Sequence, residues 1–493
     1  MNSRRPAIHR ASLSIPVVLC CLAIGAGCAF AGVKEGTDLY KRGKMDEAIA
    51  EMQKTAMANP KDATARRWLG FLLLKQSRYE EALAALTEAR ALKAEGPELR
   101  CNLGMAQMGL RHYEEAAGEF EQALKLKKNW PECLDNLGTA YVRLKKLDKA
   151  VEAYTKAAAL APTNAGILNN LGLALQESGK LDQAIAQFQK ALQVSPKRAD
   201  VATNLGAALN RKKDYAGAKA AFSRAIAADA DYYPARLGLA EALVALDKPD
   251  EAIAQYQAAA KIKPEEFAPH FNLGVLYTRK SKYAQAAEAF AAAVKISPDD
   301  VEALTYLGWA QLKDGKSSEA IASLEQATAK NPEYLPAWQN LATVHMTEGH
   351  NAEAIKAWQT IHQLAPKNLA ALINLGSLNV REGQYDKAVE SYKAALKIDS
   401  NSADAHFGLG AAFSKQENTD LSITEYREAI RLNPRMANAY NNMGVELEKK
   451  GRIEDAKEQY RKALRIDPSN AEAKANLGRF QSAPEPKTPG AKG

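Results

Sequence analysis

The 493-residue chain has few cysteines, and most of them lie near its start. Three of the five fall within the first 28 residues, so only Cys101 and Cys133 belong to the rest of the chain. Two cysteines in that length exclude a disulfide-stapled fold and a cysteine-rich metal site. Whether Cys101 and Cys133 pair with each other stays open, although a buried free thiol is the commoner state of such a residue.

The chain also lacks a strong excess of charge of either sign. Its 66 Lys and Arg residues stand against 58 Asp and Glu, which gives a formal net charge of +8. A nucleic-acid-binding protein usually concentrates basic charge much more strongly, so we expect no nucleic-acid partner. The 30 Gly and 20 Pro are ordinary for this length, which excludes a collagen-like or wholly disordered chain.

Motifs of known catalytic chemistry are absent as well. The seven histidines show no H-E-x-x-H or comparable metal-ligand spacing. The sequence contains no phosphate-binding Walker loop, no G-x-G-x-x-G after a strand and no G-x-S-x-G nucleophile elbow. We therefore expect no enzymatic activity, no cofactor, no metal and no small-molecule substrate.

The amino-terminal segment has the organisation of an export signal. Three arginines in the first ten residues precede the uncharged stretch 11–33, whose most apolar part spans residues 15–24. Ala29-Phe30-Ala31 follows, and a positive start, a short apolar run and small residues predict a signal peptide. The sequence thus predicts a signal peptide over residues 1–31, cleaved after Ala31, and a protein exported to a bacterial periplasm.

Two alternatives for this segment stay open. Gly25-Ala26-Gly27-Cys28 resembles a bacterial lipobox, so Cys28 is a candidate for lipid attachment. The uncharged stretch is also long enough to span a membrane without being cleaved. In either case the protein is membrane-attached, and we expect membrane contact only through this N-terminal segment.

The rest of the chain repeats every 34 residues. Rows of 34 written from residue 29 need no insertion or deletion up to residue 470, and a position within the row is called a column here. Column 7 is almost always Leu, column 20 almost always Ala, and column 24 always large and apolar. Column 8 is small throughout: Gly36, Gly70, Gly104, Gly138, Gly172, Gly206, Ala240, Gly274, Gly308, Ala342, Gly376, Gly410 and Gly444.

These columns have a common physical explanation. Small residues at columns 8 and 20 let two antiparallel helices approach closely, and the large residue at column 24 lies one turn after column 20 on the same face. Proline near column 32 ends the second helix, because it cannot continue the backbone hydrogen bonds. The pattern predicts an all-α solenoid of about thirteen helix-turn-helix repeats.

Leu-Gly, then Ala-x-x-x-aromatic, then Pro at this period resembles the tetratricopeptide repeat (TPR) family. The resemblance implies thirteen repeats over residues 32–470, the first one shortened at its start. We expect a capping helix over residues 471–481 and a disordered Pro-rich tail over 482–493.

Column 6 is polar in most repeats, which is unusual inside a helix. Asparagine there costs helix stability relative to alanine, so a compensating role is expected. Either each amide bonds a neighbouring helix and fixes the packing of the repeats, or the amides line the inner surface and bind a ligand chain. The candidate residues are Asn102, Asn136, Asn170, Asn204, Asn272, Asn340, Asn374 and Asn442.

The Asn-Leu-Gly rows resemble the TPR region of the O-linked N-acetylglucosamine transferases, whose asparagine ladder holds extended peptide. The resemblance covers the repeats only, because the transferase domain of that family is absent. It implies peptide binding by the matching asparagines and no transferase activity.

Column 13, in the last turn of the first helix, is often basic. Basic residues there complement the helix dipole, and the same residues could attract an acidic partner along the groove. The residues concerned are Arg143, Arg211, Arg279, Lys313 and Arg381. Column 9 varies freely, from Thr139 to Trp309.

The leading functional hypothesis is therefore an exported, non-enzymatic scaffold that binds an extended polypeptide in its concave groove. A second hypothesis is a membrane-tethered assembly component of a secretion, pilus or exopolysaccharide machine. A third is a partner subunit of a transferase whose catalytic domain lies on another chain. All three require a protein or peptide partner.

Overall fold

The computed structural model describes residues 31–480, and all of its regular secondary structure there is helical. The predicted lipidation at Cys28, most of the predicted signal peptide and the predicted tail lie outside the described residues. The chain divides into two compact units, unit 1 up to Pro264 and unit 2 from Glu265 onward. No helix of the described part is long and apolar enough to cross a membrane.

Unit 1 consists of seven helix pairs, in which the odd-numbered member is the first helix of its repeat. Consecutive helices pack against each other along the whole unit. The helices are α1 (Ala31–Lys41), α2 (Met45–Ala58), α3 (Ala63–Lys75), α4 (Tyr79–Ala91), α5 (Pro97–Gly109), α6 (Tyr113–Leu126), α7 (Pro131–Arg143), α8 (Leu147–Leu160), α9 (Ala165–Glu177), α10 (Leu181–Val194), α11 (Ala199–Arg211), α12 (Tyr215–Ala228), α13 (Tyr233–Ala245) and α14 (Pro249–Ile262).

Unit 2 consists of six further pairs and one final helix. The helices are α15 (Phe267–Arg279), α16 (Tyr283–Ile296), α17 (Val301–Lys313), α18 (Ser317–Lys330), α19 (Leu335–Glu348), α20 (Asn351–Leu364), α21 (Leu369–Arg381), α22 (Tyr385–Ile398), α23 (Ala403–Lys415), α24 (Thr419–Leu432), α25 (Ala437–Lys449), α26 (Ile453–Ile466) and α27 (Ala471–Gly478). The predicted all-α architecture of about thirteen repeats and a closing helix is confirmed. The closing helix α27 is shorter than the predicted segment 471–481 and ends at a glycine, a poor helix former.

Column 8 must be small because the large residue of column 24 packs directly on it. A Cβ atom added to Gly172 would lie 2.5 Å from Cε1 of Phe188, and one added to Gly104 would lie 2.7 Å from Cε1 of Phe120. Both rings are fully buried. The close approach of the two helices therefore depends on the missing side chain, as the repeat pattern predicts.

The turn between the two helices of a repeat requires a left-handed backbone at column 15. Gly179 adopts φ +79° there, and Lys145 adopts φ +57° at the same position of the preceding repeat. Glycine accepts this conformation without steric cost, and a lysine does so only under strain. The geometry of the repeat thus sets this turn even where the sequence offers no glycine.

The first helices form the inner layer of each unit. In unit 1 every first helix contacts the first helix of the next repeat, from α1 with α3 to α11 with α13, and the same kind of contact recurs in unit 2 between α21, α23 and α25. Comparable contacts between consecutive second helices are absent from the described residues. The side chains of the first helices therefore line the side on which neighbouring repeats come closest.

The two cysteines of the repeat region lie in this inner layer of unit 1, on α5 and α7. Cys101 and Cys133 are both fully buried, and both are thiols. The Cys133 Sγ lies 3.8 Å from the carbonyl oxygen of Phe120. Cys133 therefore acts as a small packed side chain, one of the two states that the sequence left open.

Candidate functional site

Column 6 faces the preceding repeat, so it lies in the seam between two neighbouring first helices. Tyr306, the column 6 residue of its repeat, stacks on Phe290 of the preceding repeat with ring centroids 5.4 Å apart. At Gly408 the same space holds the ring of Tyr392, whose Cζ would lie 2.2 Å from an added Cβ atom. A column 6 side chain therefore meets the column 24 residue of the repeat before it.

Two asparagines of unit 1 use this position to bond the preceding first helix. The Asn170 amide donates to the Asp135 carboxylate at 3.0 Å, and the Asn204 amide donates to the Asn169 side-chain oxygen at 2.9 Å. Both acceptors occupy column 5 of the preceding repeat. These are the contacts that the packing interpretation of the asparagine column predicts.

Asp135 is a buried carboxylate, 2% exposed, in the seam between α7 and α9. Burial raises its pKa to about 6, the hydrogen bond from Asn170 lowers it, and the nearby Glu132 charge raises it. Beside it, the Thr139 hydroxyl lies 2.9 Å from the Tyr154 hydroxyl. The seam thus contains a polar group whose ionised form is poorly solvated.

Asn102 and Asn136 are also buried, at 6% and 1% exposure. The side-chain oxygen of Asn102 and both polar atoms of Asn136 have no hydrogen-bond partner among the described residues. In column 5 of the repeat before Asn136 stands Cys101, a much weaker acceptor than a carboxylate or an amide. The oxygen of Asn102 and both polar atoms of Asn136 are buried and therefore do not line an open surface.

The unit 2 asparagines differ among themselves. Asn272 is buried, whereas Asn340 and Asn374 are only partly buried. The Asn374 amide donates to the carbonyl oxygen of Ala370 in its own helix at 2.9 Å. The Asn442 amide lies 3.5 Å from the Tyr426 hydroxyl and its oxygen accepts from Asn441 at 3.2 Å.

The basic residues of column 13 are exposed, and each is the last residue of its first helix. The Arg211 guanidinium donates to the Gln176 carbonyl oxygen at 3.2 Å, at the carboxyl end of the preceding first helix. This contact is dipole complementation between neighbouring repeats. The other residues at this position are Arg143, Arg279, Lys313 and Arg381.

Trp309 belongs to the inner layer of first helices. From the sequence it stood out only as one residue of the variable column 9. It is half-buried, its ring meets Tyr283 edge to face at 5.5 Å, and the Lys313 ammonium lies 5.8 Å from its ring centroid. A half-exposed tryptophan is a frequent binding anchor at protein interfaces. The sequence feature that could have indicated this role is that Trp309 is the one tryptophan among the smaller residues of column 9.

The described residues contain no group of three or more His, Cys, Asp or Glu side chains arranged to hold a metal ion. His345 and His350 come within 5.7 Å of each other, measured between ring centroids, and burial lowers the pKa of His345. His345 is therefore neutral at pH 7, as expected of an imidazole packed in a helix interface.

Six models of one repeat family match the chain. They are described as TPR repeat or tetratricopeptide repeat, and together their matches cover most of the sequence. The matched residues are 33–97, 97–129, 138–179, 163–231, 237–301, 277–344, 379–417, 403–436 and 437–470. No curated protein matches the chain significantly.

Solved structures resemble the chain at low identity. YrrB, described as a TPR protein with an unusual peptide-binding site, is 21% identical, with 40% of this chain and all of YrrB covered and a TM-score of 0.35. MamA from Desulfovibrio magneticus RS-1 is 18% identical over 35% of this chain and 97% of its own, with a TM-score of 0.33. The Cut9-Hcn1 hetero-tetramer structure of APC/C is 15% identical over 90% and 95%, with a TM-score of 0.36.

Proposed function

Because the chain belongs to the tetratricopeptide repeat family, we propose that it is a non-enzymatic scaffold that binds an extended polypeptide along its inner layer of first helices. The repeats occupy nearly all of the described chain. A stack of repeats offers a long surface made of one helix face per repeat, which suits an extended partner.

The observation that carries the proposal is that partly exposed asparagines of column 6 have side-chain oxygens not used in hydrogen bonds. The side-chain oxygens of Asn204 and Asn374 accept no hydrogen bond in the described residues, because each amide uses only its N–H groups. Asn340 is partly exposed as well. A free amide oxygen can accept from a backbone N–H of a bound peptide without regard to its sequence.

The spacing of the repeats fits such a ligand. Neighbouring first helices pack at about 10 Å, and an extended chain advances about 3.3 Å per residue. Accessible amides of neighbouring repeats, such as Asn340 and Asn374, would therefore meet peptide residues about three positions apart. Side chains such as Trp309 and the exposed basic residues of column 13 would add selectivity between peptides.

The test uses fluorescent 15-residue peptides from an arrayed library and the variant Asn340→Ala/Asn374→Ala, whose two residues lie in neighbouring repeats of unit 2. Losing two hydrogen bonds at about 1 kcal/mol each weakens binding on the order of thirtyfold. The control replaces the exposed second-helix residues Gln122, Gln189 and Gln359 by Ala and should bind as the wild type does. Equal binding by both variants would place the peptide elsewhere, and no binding by the wild type would contradict the scaffold proposal itself.

We further propose that the protein is exported to a periplasm, where this scaffold would act. Support comes from the arginines, apolar stretch and Ala29-Phe30-Ala31 of the N-terminal sequence. Cleavage after Ala31 would remove only the first residue of α1. Intact-mass measurement on the protein from its native host should show Gly32 as the first residue. A lipid mass on Cys28 would indicate a lipoprotein, and a chain that keeps Met1 would contradict cleavage.

A further inference from the structure

Large apolar side chains project into solvent at the carboxyl ends of the second helices of unit 1. Met57, Leu126, Leu160 and Val194 are 80%, 60%, 42% and 39% exposed. Each is the last or next-to-last residue of its helix, α2, α6, α8 or α10. An exposed side chain of this size gains nothing for folding, because it leaves apolar surface in water.

Three of these residues come from consecutive repeats and share one column, so they lie in a row. Leu126, Leu160 and Val194 all occupy column 30. Because each of these second helices ends at the same column of its repeat, the row follows one edge of unit 1. We call this the helix-end edge of unit 1 and define it as residues 121–132, 155–166 and 189–200.

The helix-end edge of unit 1 is basic. It contains seven Lys and Arg residues and three acidic ones. Two of the acidic side chains are already engaged: Glu121 accepts a hydrogen bond from the Tyr141 hydroxyl, and Asp200 pairs with Arg198. The basic residues are Lys125, Lys127, Lys128, Lys156, Lys190, Lys197 and Arg198.

Most of these lysines have no acidic partner. Lys156 pairs with Glu152 at 2.7 Å, and the Lys127 ammonium lies 4.4 Å from the ring centroid of Trp130. Within the described residues no ion pair holds the four exposed lysines that remain. These four are Lys125, Lys128, Lys190 and Lys197.

Three consecutive repeats of unit 2 differ from this edge in charge, although their aliphatic side chains project to a similar extent. Residues 325–336, 359–370 and 393–404 contain four Lys and four acidic residues. Their two projecting aliphatic side chains, Leu364 and Ile398, are 38% and 40% exposed. Helix-dipole complementation would place basic residues equally at the helix ends of all repeats, so it does not explain the excess in the three repeats of the helix-end edge.

We propose that the helix-end edge of unit 1 docks on an anionic phospholipid surface, a membrane contact in addition to the N-terminal one expected from the sequence. The lysines would meet the lipid phosphates, and Leu126, Leu160 and Val194 would enter the boundary between headgroups and acyl chains. A lysine also lays its own aliphatic stem along apolar surface while its ammonium stays in water. The row thus joins the two attractions that hold a peripheral protein on a membrane.

The shape of the row favours a bilayer over a protein partner. The aliphatic side chains project singly, a repeat apart, with charged residues between them. A protein partner needs a contiguous apolar centre of complementary shape, whereas a fluid headgroup layer closes around isolated side chains. A polyanionic protein is therefore the alternative that the test must separate.

The test measures sedimentation of the full-length chain with phosphatidylcholine vesicles, with and without phosphatidylglycerol. The wild type and three variants share the same N-terminal segment, so any contribution from residues 1–30 is common to all. The charge variant is Lys125→Glu/Lys128→Glu/Lys190→Glu/Lys197→Glu, and the apolar variant is Leu126→Ser/Leu160→Ser. The control variant is Leu364→Ser/Ile398→Ser in unit 2.

Phosphatidylglycerol should increase the binding of the wild type to the vesicles. In the charge variant this increase should be at least about tenfold smaller. The apolar variant should lose severalfold and the unit 2 variant nothing, with unchanged circular dichroism in each. The proposal would be overturned if the wild type binds equally with and without phosphatidylglycerol, or if the charge variant binds as the wild type does. If the apolar variant binds as strongly as the wild type, the proposal is also overturned. The leucines would then not insert into the bilayer, and the basic residues alone would attract anions of any kind.

Discussion

The asparagine column has different surroundings in the two units. In unit 1 it runs unbroken through four repeats, Asn102 to Asn204, and three of the four side chains are buried in the seams between first helices. In unit 2 it is interrupted by Tyr306 and Gly408, and Asn340 and Asn374 between the interruptions are only partly buried. The same residue at the same repeat position is thus mostly packed in unit 1 and partly accessible at Asn340 and Asn374 of unit 2.

The residue 35 positions earlier explains much of the difference. Three asparagines donate across the seam to the side chain that stands 35 residues earlier. The pairs are Asn170 to Asp135, Asn204 to Asn169 and Asn476 to Asn441. Asn374 follows Gln339 and instead bonds its own helix. A short Asp or Asn in column 5 of the preceding repeat therefore accepts from the amide across the seam, whereas the longer, exposed Gln339 does not, and the Asn374 amide bonds its own helix.

The largest effect is expected where the column is interrupted. Gly408→Asn would extend the asparagine column of unit 2, but an added Cβ atom lies 2.2 Å from Cζ of the buried Tyr392 ring. Overpacking of this kind costs about 1–3 kcal/mol or more. We expect a lower melting temperature and faster amide exchange in α22 and α23.

Gly118→Ala is the control for this variant. Gly118 lies within α6, and no heavy atom lies within 4 Å of its added Cβ atom. Alanine at an open helix position should stabilise by up to about 1 kcal/mol. A stable Gly408→Asn protein would show that the Tyr392 ring moves aside and that the interruption has no steric cause.

The next effect concerns the buried carboxylate of unit 1. Asp135→Asn would reproduce the Asn169–Asn204 pair of the following seam, in which an amide accepts from an amide. The variant removes a buried charge while keeping the acceptor for Asn170. We expect it to be more stable than the wild type at pH 7 by up to about 3 kcal/mol, measured by urea unfolding.

The gain should depend on pH in a defined direction. Burial raises the pKa of Asp135 from 3.8 to about 6, so the folded state binds the proton more tightly than the unfolded state does. The wild type therefore gains stability as the pH falls from 6 towards 3.8, and the variant does not. The two proteins should converge below the unfolded pKa, and a difference that is constant from pH 4 to 8 would contradict the shift.

Much of the fold could be predicted from the sequence because each repeat is a local unit. Helices α7 and α8 follow from the columns of one row: the Pro that begins α7, Gly138 and Tyr154 where the two helices meet, and Pro162 just beyond α8. The division into two units could not be predicted, since the 34-residue period continues through Pro264 and Glu265 without a change.

The orientation of column 6 was harder to predict. Helical periodicity places an asparagine on one face of its helix, but whether that face meets solvent or the preceding repeat depends on how two repeats stack. Asp135 and Asn170 stand 35 residues apart in the sequence, and their contact follows only once columns 5 and 6 of neighbouring repeats are known to meet. The burial of Asn136, which has no such partner, could not be predicted either.

Removing a packed amide should lower the stability of the fold by more than removing an accessible one, and this effect is of intermediate size. Asn170→Ala leaves the buried Asp135 carboxylate without its amide donor, which costs about 1–3 kcal/mol. Asn374→Ala removes a bond to its own helix and should change stability by only a few tenths of a kcal/mol, because alanine is the better helix former. Thermal unfolding and amide exchange of α7 and α9 measure the difference. Equal losses in both variants would mean that the residue 35 positions earlier does not set the role of the amide.

The smallest effect should be the same in both units. Lys212 pairs with Asp182 in unit 1, and Lys450 pairs with Asp420 in unit 2. Both pairs join column 14 to column 18 of the preceding repeat, and the partners are largely exposed in both. The hydrogen bond to Asp182 raises the pKa of Lys212, but water and salt screen an exposed pair strongly. Lys212→Ala and Lys450→Ala should therefore lower the melting temperature slightly, to a similar extent, and only at low salt. A clear loss in one unit that persists at high salt would show that the seams of the two units differ outside the asparagine column too.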